Sequence, residues 1–405
     1  MPAAPEFSDE WMAMQTNRTI VARGLLGVLL LAGVISCLIP SRLTPPLLTT
    51  ELRQEAESKF RQVYQREPDH FDTVSIAAEL AVSRDQLEVA NQCFAEIPTS
   101  HPLYGPGARF QQGQVLLKLN QAAAAERQFR EYLDLPGVEF RNIAQEFLRY
   151  ILEIELRFEE RQTLLMAKHA SSSLTPTEAM FAGFSSLLRW NGEAAVDRCR
   201  QFYELDPENP QLQIAWAQYL GGSARAVEGL QVIDTCLVKE PANARAIAVK
   251  MYLLSELGED QPLAALVATL LPPQRSDPWI MLRLRGAEAL SRNDLDRAEQ
   301  CYRLLLEVNP AVPECDMGLA EIAGKRKQPE QQAKFLETAR RLALIQNRLG
   351  ALQFLPTDDP SFYVTLAEQA LAIGLKPQAQ LMAEAALKID PKNAVAKTIL
   401  QECQP

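Results

Sequence analysis

Only three of the 405 residues are histidine, His70, His101 and His169, and none lies in an H-E-x-x-H pattern. That leaves little material for histidine-based catalysis or a multi-histidine metal site. The other sequence marks of chemistry are missing too. There is no G-x-S-x-G, no G-x-x-x-x-G-K-S/T and no G-x-G-x-x-G, and none of the seven cysteines falls in a C-x-x-C pair. Basic residues are outnumbered, 41 against 51 acidic, for a net charge of −10, which excludes a general nucleic-acid binder with a broad basic face. Glycine is scarce at 18 residues, about 4% against a usual ~7%, and this favours helices over turn-rich sheets. The expectation is a non-enzymatic protein without metal, cofactor, small-molecule substrate or nucleic acid.

What the chain does have begins with an apolar run. Residues 1–18 are polar and acidic and read as a disordered tail. Gly24 to Ile39 then gives 16 residues without a charge, about 24 Å of helix at ~1.5 Å per residue. Adding Thr19 to Ala22, with Arg23 snorkelling to the headgroups, brings the length to that of a ~30 Å hydrocarbon layer. A single transmembrane helix over 19–40 is expected, ended by Pro40 and followed by a linker over 41–50. Val34-Ile35-Ser36-Cys37 also resembles a relaxed bacterial lipobox, which would make Cys37 an acylation site; the apolar Leu38 and Ile39 behind it read instead as continued helix. Arg18 and Arg23 outweigh Arg42, so the positive-inside rule puts the remainder outside the cytoplasm.

Prolines that close apolar segments recur at Pro68, Pro102, Pro136, Pro207, Pro241, Pro310 and Pro391, separated by 34, 34, 71, 34, 69 and 81 residues. All but the last are one or two multiples of 34 to 35, and the last contains an insertion of about 13 residues. Small and aromatic residues recur at fixed offsets. The clearest copy reads Gly286, Ala289, Asn293-Asp294, Ala298, Tyr302, Leu305-Leu306 and Asn309-Pro310; others are Gly113, Leu116, Ala125, Phe129, Pro136, and Gly183, Ala195, Cys199, Phe202, Asp206-Pro207. The pattern resembles the tetratricopeptide repeat (TPR). That resemblance implies an all-α, right-handed α-solenoid of helix-turn-helix units over 51–405, with units starting near 71, 106, 141, 176, 210, 244, 279, 313 and 360. The copies near 141 and 313 are degenerate, a half unit precedes them, and a capping helix covers 394–405. A lone helix pair cannot bury its apolar faces, and stacking supplies the missing partner surface.

The resemblance also implies a concave groove, lined by the first helix of each unit, that binds a protein or peptide partner. Carried over position by position, its lining is Phe110, Gln114, Met180, Phe184, Ile214, Gln218, Tyr252 and Arg283. The aromatic positions would anchor an extended or helical segment, and the arginine would grip a carboxylate. Several of the eight could equally fill the space between helices. A membrane-anchored scaffold that recruits or assembles proteins is the leading expectation, with a self-associating structural protein as the alternative. Cys199 and Cys236 fall on core positions and read as buried free thiols, which suit a reducing compartment and so pull against the arginine argument. The run Lys325, Arg326, Lys327, Lys334, Arg340, Arg341 and Arg348 reads either as a dock for acidic partners or headgroups or as a solvated helix face.

Overall fold

A computed structural model describes residues 71–185, 187, 193–351 and 358–404. The expected membrane helix over 19–40 and the half unit over 51–70 lie outside them. No helix among the described residues is long and apolar enough to cross a membrane. The chain divides into two compact units, Met1–Pro98 and Thr99–Pro405. In the first, α1 (Phe71–Ser83) packs on α2 (Leu87–Glu96) as a hairpin.

The second unit is a series of hairpins. α3 (Gly105–Lys118) pairs with α4 (Ala122–Asp134), and α5 (Arg141–Ile154) with α6 (Phe158–Ser171). After α7 (Pro176–Gly183) and α8 (Glu193–Leu205) come α9 (Pro210–Gly222) with α10 (Ala226–Lys239) and α11 (Ala244–Glu256) with α12 (Asp260–Thr269). Next are α13 (Trp279–Ser291) with α14 (Leu295–Val308), and α15 (Pro313–Lys325) with α16 (Pro329–Ala351). The series ends in α17 (Pro360–Ala372), α18 (Lys376–Ile389) and α19 (Ala394–Cys403). Among the described residues there is no strand.

One turn is used over and over. Asp85, Asn120, Leu156, Ala224, Gly258, Asn293, Lys327 and Gly374 all have positive φ, and each lies just beyond a first helix. In every case the next residue donates its N–H to the carbonyl five residues back, as in Gln121 to Leu116 and Asp294 to Ala289, both at 2.9 Å. This is the hydrogen bond of a Schellman turn, which satisfies the helix's orphan carbonyls and reverses the chain. Second helices stop at Leu205, Val308 and Ile389, two residues before Pro207, Pro310 and Pro391. Proline disfavours a helical conformation in the residue before it, so Asp206, Asn309 and Asp390 break the helix. The Asn209 and Asn243 side chains then cap α9 and α11 by accepting N–H groups of the first turn.

The small and aromatic marks are explained by close approach. A Cβ on Gly113 would lie 2.8 Å from the Phe129 ring, and one on Gly286 would lie 2.7 Å from Tyr302. Gly318, on the next first helix, meets the other edge of the same Tyr302 ring. One aromatic thus fills the gap between two consecutive units, and any side chain larger than hydrogen at those glycines would displace it.

The repeat is broken in the middle. Spacing reads 176–209 as one hairpin, yet α7 packs against α6 and α18, whereas α8 packs against α5 and α9. α7 is short, eight residues ending at Gly183, and the Phe184 at its C-cap is buried. The place beside α7 is taken by α18, so Leu165, Met180, Phe181 and Phe184 share one core with Leu342, Ile345, Tyr363, Met382 and Ala386. The array therefore closes on itself within this unit. Arginines tie later helices to earlier turns. Arg198 of α8 donates to the Leu117 carbonyl at 2.7 Å and to Asn120, and Arg245 of α11 reaches the Glu155 carbonyl at 3.4 Å. The extra residues between Pro310 and Pro391 go partly into α16, at 23 residues the longest of the described helices.

Candidate functional site

The eight side chains expected along the groove separate into two groups. Phe110 is enclosed by Phe129, Tyr132, Phe140 and Phe147, with ring centroids 5.2 to 6.3 Å away. Met180 and Phe184 belong to the core shared with α18, and Ile214 is buried between α9 and its neighbours. These four are core residues and not groove lining: Phe110 and Ile214 are buried by their own and the adjacent hairpin, and Met180 and Phe184 by the core shared with α18. Gln114 and Gln218 are half-buried, and the Gln114 Nε2 atom is buried without a hydrogen-bond partner. Tyr252 and Arg283 keep part of their surface exposed.

Tyr252 and Arg283 belong to a continuous inner face. α11 packs on α13 and α13 on α15, so the same face of three first helices lies side by side. Arg283 stands four residues after Trp279, the first residue of α13. At the same offset from Pro313 in α15 stands Met317, which is 59% exposed. One turn further on is the exposed Glu321, paired with Lys325 at 3.0 Å. Met317 was missed in the sequence because the copy near 313 is degenerate; the signal that finds it is its offset from Pro313, which matches that of Arg283. Beneath this face lies the Tyr302 ring. Burial pushes its hydroxyl well above the ordinary range, with Cys315 and Glu321 acting the same way and Arg283 opposing. The face thus offers an aromatic edge at Tyr252, a guanidinium at Arg283 and a thioether at Met317, with a carboxylate beyond. This combination suits an extended segment carrying apolar and acidic side chains.

A second cluster holds charge inside the fold. Arg149 donates to Glu146 at 2.9 Å and to Glu153 at 2.8 Å, and Lys168 donates to Glu178 at 2.5 Å. Arg161 is fully buried: it donates to the Ser185 hydroxyl at 2.9 Å, lies 3.8 Å from Glu153 and packs over the rings of Phe158 and Phe181. Its Nε and Nη1 atoms, and the Glu153 Oε1, have no hydrogen-bond partner. Burial pushes the Glu153 carboxyl up, against the pull of Arg149 and Arg161. Burial likewise lowers Arg161 to about 10, opposed by Glu153. Glu178 behaves differently. Burial would raise it, but hydrogen bonds from the Glu146 carboxyl, Lys168 and the Thr175 N–H hold it down at about 2. Since Glu178 also closes the capping box of α7 with Thr175, this network fixes the short helix to α5 and α6.

Part of the basic run is held in ion pairs: Arg326 with Glu299 and Asp296 of α14, Lys325 with Glu321, and Arg340 and Arg341 both with Glu337. Lys327, Lys334 and Arg348 are exposed. Cys199, Cys236, Cys301 and Cys315 are buried free thiols, whereas Cys93 and Cys403 are half-buried. Among the described residues, no group of His, Cys, Asp and Glu side chains is placed to hold a metal ion.

No family model matches this chain, and no curated protein matches it. Solved structures are similar to it at low identity. The P58(IPK) TPR domain aligns over 88% of this chain and 94% of its own, with 15% identity and a TM-score of 0.26. TTC0263, a thermophilic TPR protein of Thermus thermophilus, aligns over 48% of this chain and 98% of its own, with 16% identity and a TM-score of 0.27. The APC/C hetero-tetramer Cut9-Hcn1 aligns over 87% of this chain and 89% of its own, with 11% identity and a TM-score of 0.32.

Proposed function

We propose that this chain is a non-enzymatic, membrane-tethered scaffold that binds a protein or peptide segment along the inner face of α11, α13 and α15. The observation that carries this reading is the exposed Met317 beside Arg283 and Tyr252, in an array whose other inner positions, Phe110, Met180, Phe184 and Ile214, are filled. An exposed methionine next to an aromatic edge is adaptable apolar surface, and an adjacent guanidinium adds directional recognition of a carboxylate. The tether is the apolar segment 19–40, and the excess of Arg18 and Arg23 over Arg42 places the array on the extracytoplasmic side.

The test is site-specific photocrosslinking of the full-length protein in its native membranes. Benzoylphenylalanine in place of Met317 should capture a discrete partner, and the same probe in place of Val238, 84% exposed on a second helix, should not. Equal capture at the two positions, or capture at Val238 alone, overturns the assignment of the inner face. Protease protection of the array in sealed membranes tests its side: complete digestion from the cytoplasmic face overturns the extracytoplasmic placement.

A further inference from the structure

The stretch from Lys325 to Arg348 carries seven basic and two acidic residues, a charge of +5 within a chain of −10. Most of it is α16, which at 23 residues far outruns the 13 of its hairpin partner α15. One side of α16 is committed to the fold: Leu342, Ile345 and Leu349 enter the core that also holds Phe181 of α7 and Tyr363 of α17. The other side is open. Leu336, Arg340, Leu344 and Arg348 follow one another at four-residue spacing and all are exposed, Leu336 by 49% and Leu344 by 42%. Residues four apart share a helix face, so these four make a ridge about 18 Å long on which leucine and arginine alternate.

The charge of this surface is only partly neutralised by the fold. Lys325 and Arg326 are paired, with Glu321 and with Asp296 and Glu299. Glu337 accepts from Nε and Nη2 of Arg340 and from Nε of Arg341, so one carboxylate serves two guanidiniums. Lys327, Lys334 and Arg348 are exposed and make no ion pair among the described residues. They are spread from the turn before α16 to its last turn, so the excess positive charge runs the length of the helix.

An acidic protein and an anionic bilayer both complement such a charge, and the leucines distinguish them. A convex ridge projects its own side chains, and a lipid film yields to them: leucine enters among acyl chains, while arginine lays its stem alongside and keeps its guanidinium at the phosphates. A protein would have to supply a pocket for each leucine and a carboxylate for each arginine in matching register. We propose that the outer face of α16 rests on an anionic phospholipid surface, with Leu336 and Leu344 dipping among the acyl chains and Lys327, Lys334, Arg340 and Arg348 holding phosphate groups. The choice of lipid over protein rests on the membrane tether proposed above. The contact is made by a second helix, whereas the inner face assigned to the partner is made by first helices.

The test uses the full-length protein reconstituted in vesicles of phosphatidylcholine, with and without phosphatidylglycerol. Benzoylphenylalanine in place of Leu344 should crosslink to lipid several-fold more in the anionic vesicles, and the same probe in place of the exposed Val238 should give the same low yield in both. Raising the salt from 0.1 to 1 M, which shortens the screening length from ~10 to ~3 Å, should remove most of that difference. Lys327→Gln, Lys334→Gln and Arg348→Gln together, with the circular dichroism of the parent, should remove it at low salt. Lipid adducts at position 344 that are no more frequent in anionic than in neutral vesicles overturn the proposal. Adducts to an acidic protein in place of lipid, when the same probe is irradiated in native membranes, also overturn it. The tether is judged apart from this: release of the protein from neutral vesicles by alkaline carbonate ends the tether reading, whereas retained protein without charge-dependent adducts at position 344 ends this proposal alone.

Discussion

The hairpins before α8 and those after α10 share one backbone plan and differ in how they hold buried charge. In the earlier group Glu153, Arg161, Lys168 and Glu178 are buried and fasten three helices to one another. In the later group buried charge is local, Arg285 paired with Asp277 at 3.0 Å and Asp316 with its Oδ2 unpaired, whereas the ion pairs of Arg326 with Asp296 and Glu299, Arg303 with Glu299, and Lys250 with Asp234 lie at the surface, and the inner row carries a partly exposed Arg283 and an exposed Met317. The earlier charges are enclosed where α5, α6 and α7 meet, and there the polar groups pair with one another. The inner face of α11, α13 and α15 keeps part of its surface exposed. Identical turns therefore support two ways of holding charge.

The strongest way to break this comparison is to remove one buried charge. Arg161→Met keeps the volume and leaves Glu153 without one of its two cations, so the protein should lose about 3–5 kcal/mol, measured by chemical denaturation. Adding Glu153→Gln should restore much of that loss, because the stranded carboxylate is then gone. The matched change in the later group, Arg326→Ala, should leave the melt nearly unchanged, as exposed pairs contribute little. Equal losses for Arg161→Met and Arg326→Ala would show that the two regions do not differ in the way described.

Much of the array was legible in the sequence, and the reasons are local. First helices begin at Phe71, Gly105, Arg141, Pro176, Pro210, Ala244, Trp279, Pro313 and Pro360, within a residue of the unit starts that the resemblance implies. Turn residues such as Asn293 and stop signals such as Asp390-Pro391 act within a few residues of themselves, so a single sequence displays them. The pairing of α7 with α18 was not legible. It depends on a helix that ends at Gly183 and on surface complementarity across some two hundred residues, and neither leaves a periodic mark. Phe110, Met180, Phe184 and Ile214 were read as groove lining because their offsets are those of groove positions; the core shared with α18 buries Met180 and Phe184, and the stacking of adjacent hairpins buries Phe110 and Ile214. Arg283 kept its place, and Met317 was hidden by a weak copy of the repeat.

Two further changes sharpen the comparison inside the later hairpins. Gly318→Ala would drive a methyl group into the Tyr302 ring, and overpacking of this kind costs about 1–3 kcal/mol. Hydrogen exchange should quicken in α13 to α16 and not in α3 to α6, because each unit leans mainly on its neighbours; uniform acceleration would contradict the modular array. Asp316 tests burial by pH. It is 4% exposed, its Oδ2 has no hydrogen-bond partner, and burial pushes its carboxyl up to about 7 from 3.8. A raised carboxyl favours the folded state below the ordinary value and loses that advantage as pH rises through about 7. Asp316→Asn should therefore stabilise the protein at pH 8 by on the order of 2 kcal/mol and change little at pH 4. A gain independent of pH would mean that Asp316 is not titrating in the fold.

The smallest effect belongs to the turn that the hairpins of the whole array share. Ala224 and Gly258 occupy equivalent places after α9 and α11, with φ of 58° and 69°. Ala224 is exposed, and a Cβ on Gly258 would meet nothing within 4 Å, so packing plays no part at either place. What remains is the clash of Cβ with the backbone in the left-handed region, set against the extra freedom that glycine has in the unfolded chain. Ala224→Gly should then stabilise by about 0.5 kcal/mol and Gly258→Ala destabilise by about 1 kcal/mol, read as opening free energies of the α9–α10 and α11–α12 hairpins in native-state hydrogen exchange. Opposite signs at two adjacent hairpins follow only if the turn geometry is the same in both. If both substitutions destabilise, the turn after α9 is held by something other than its backbone conformation, and the shared plan does not extend to it.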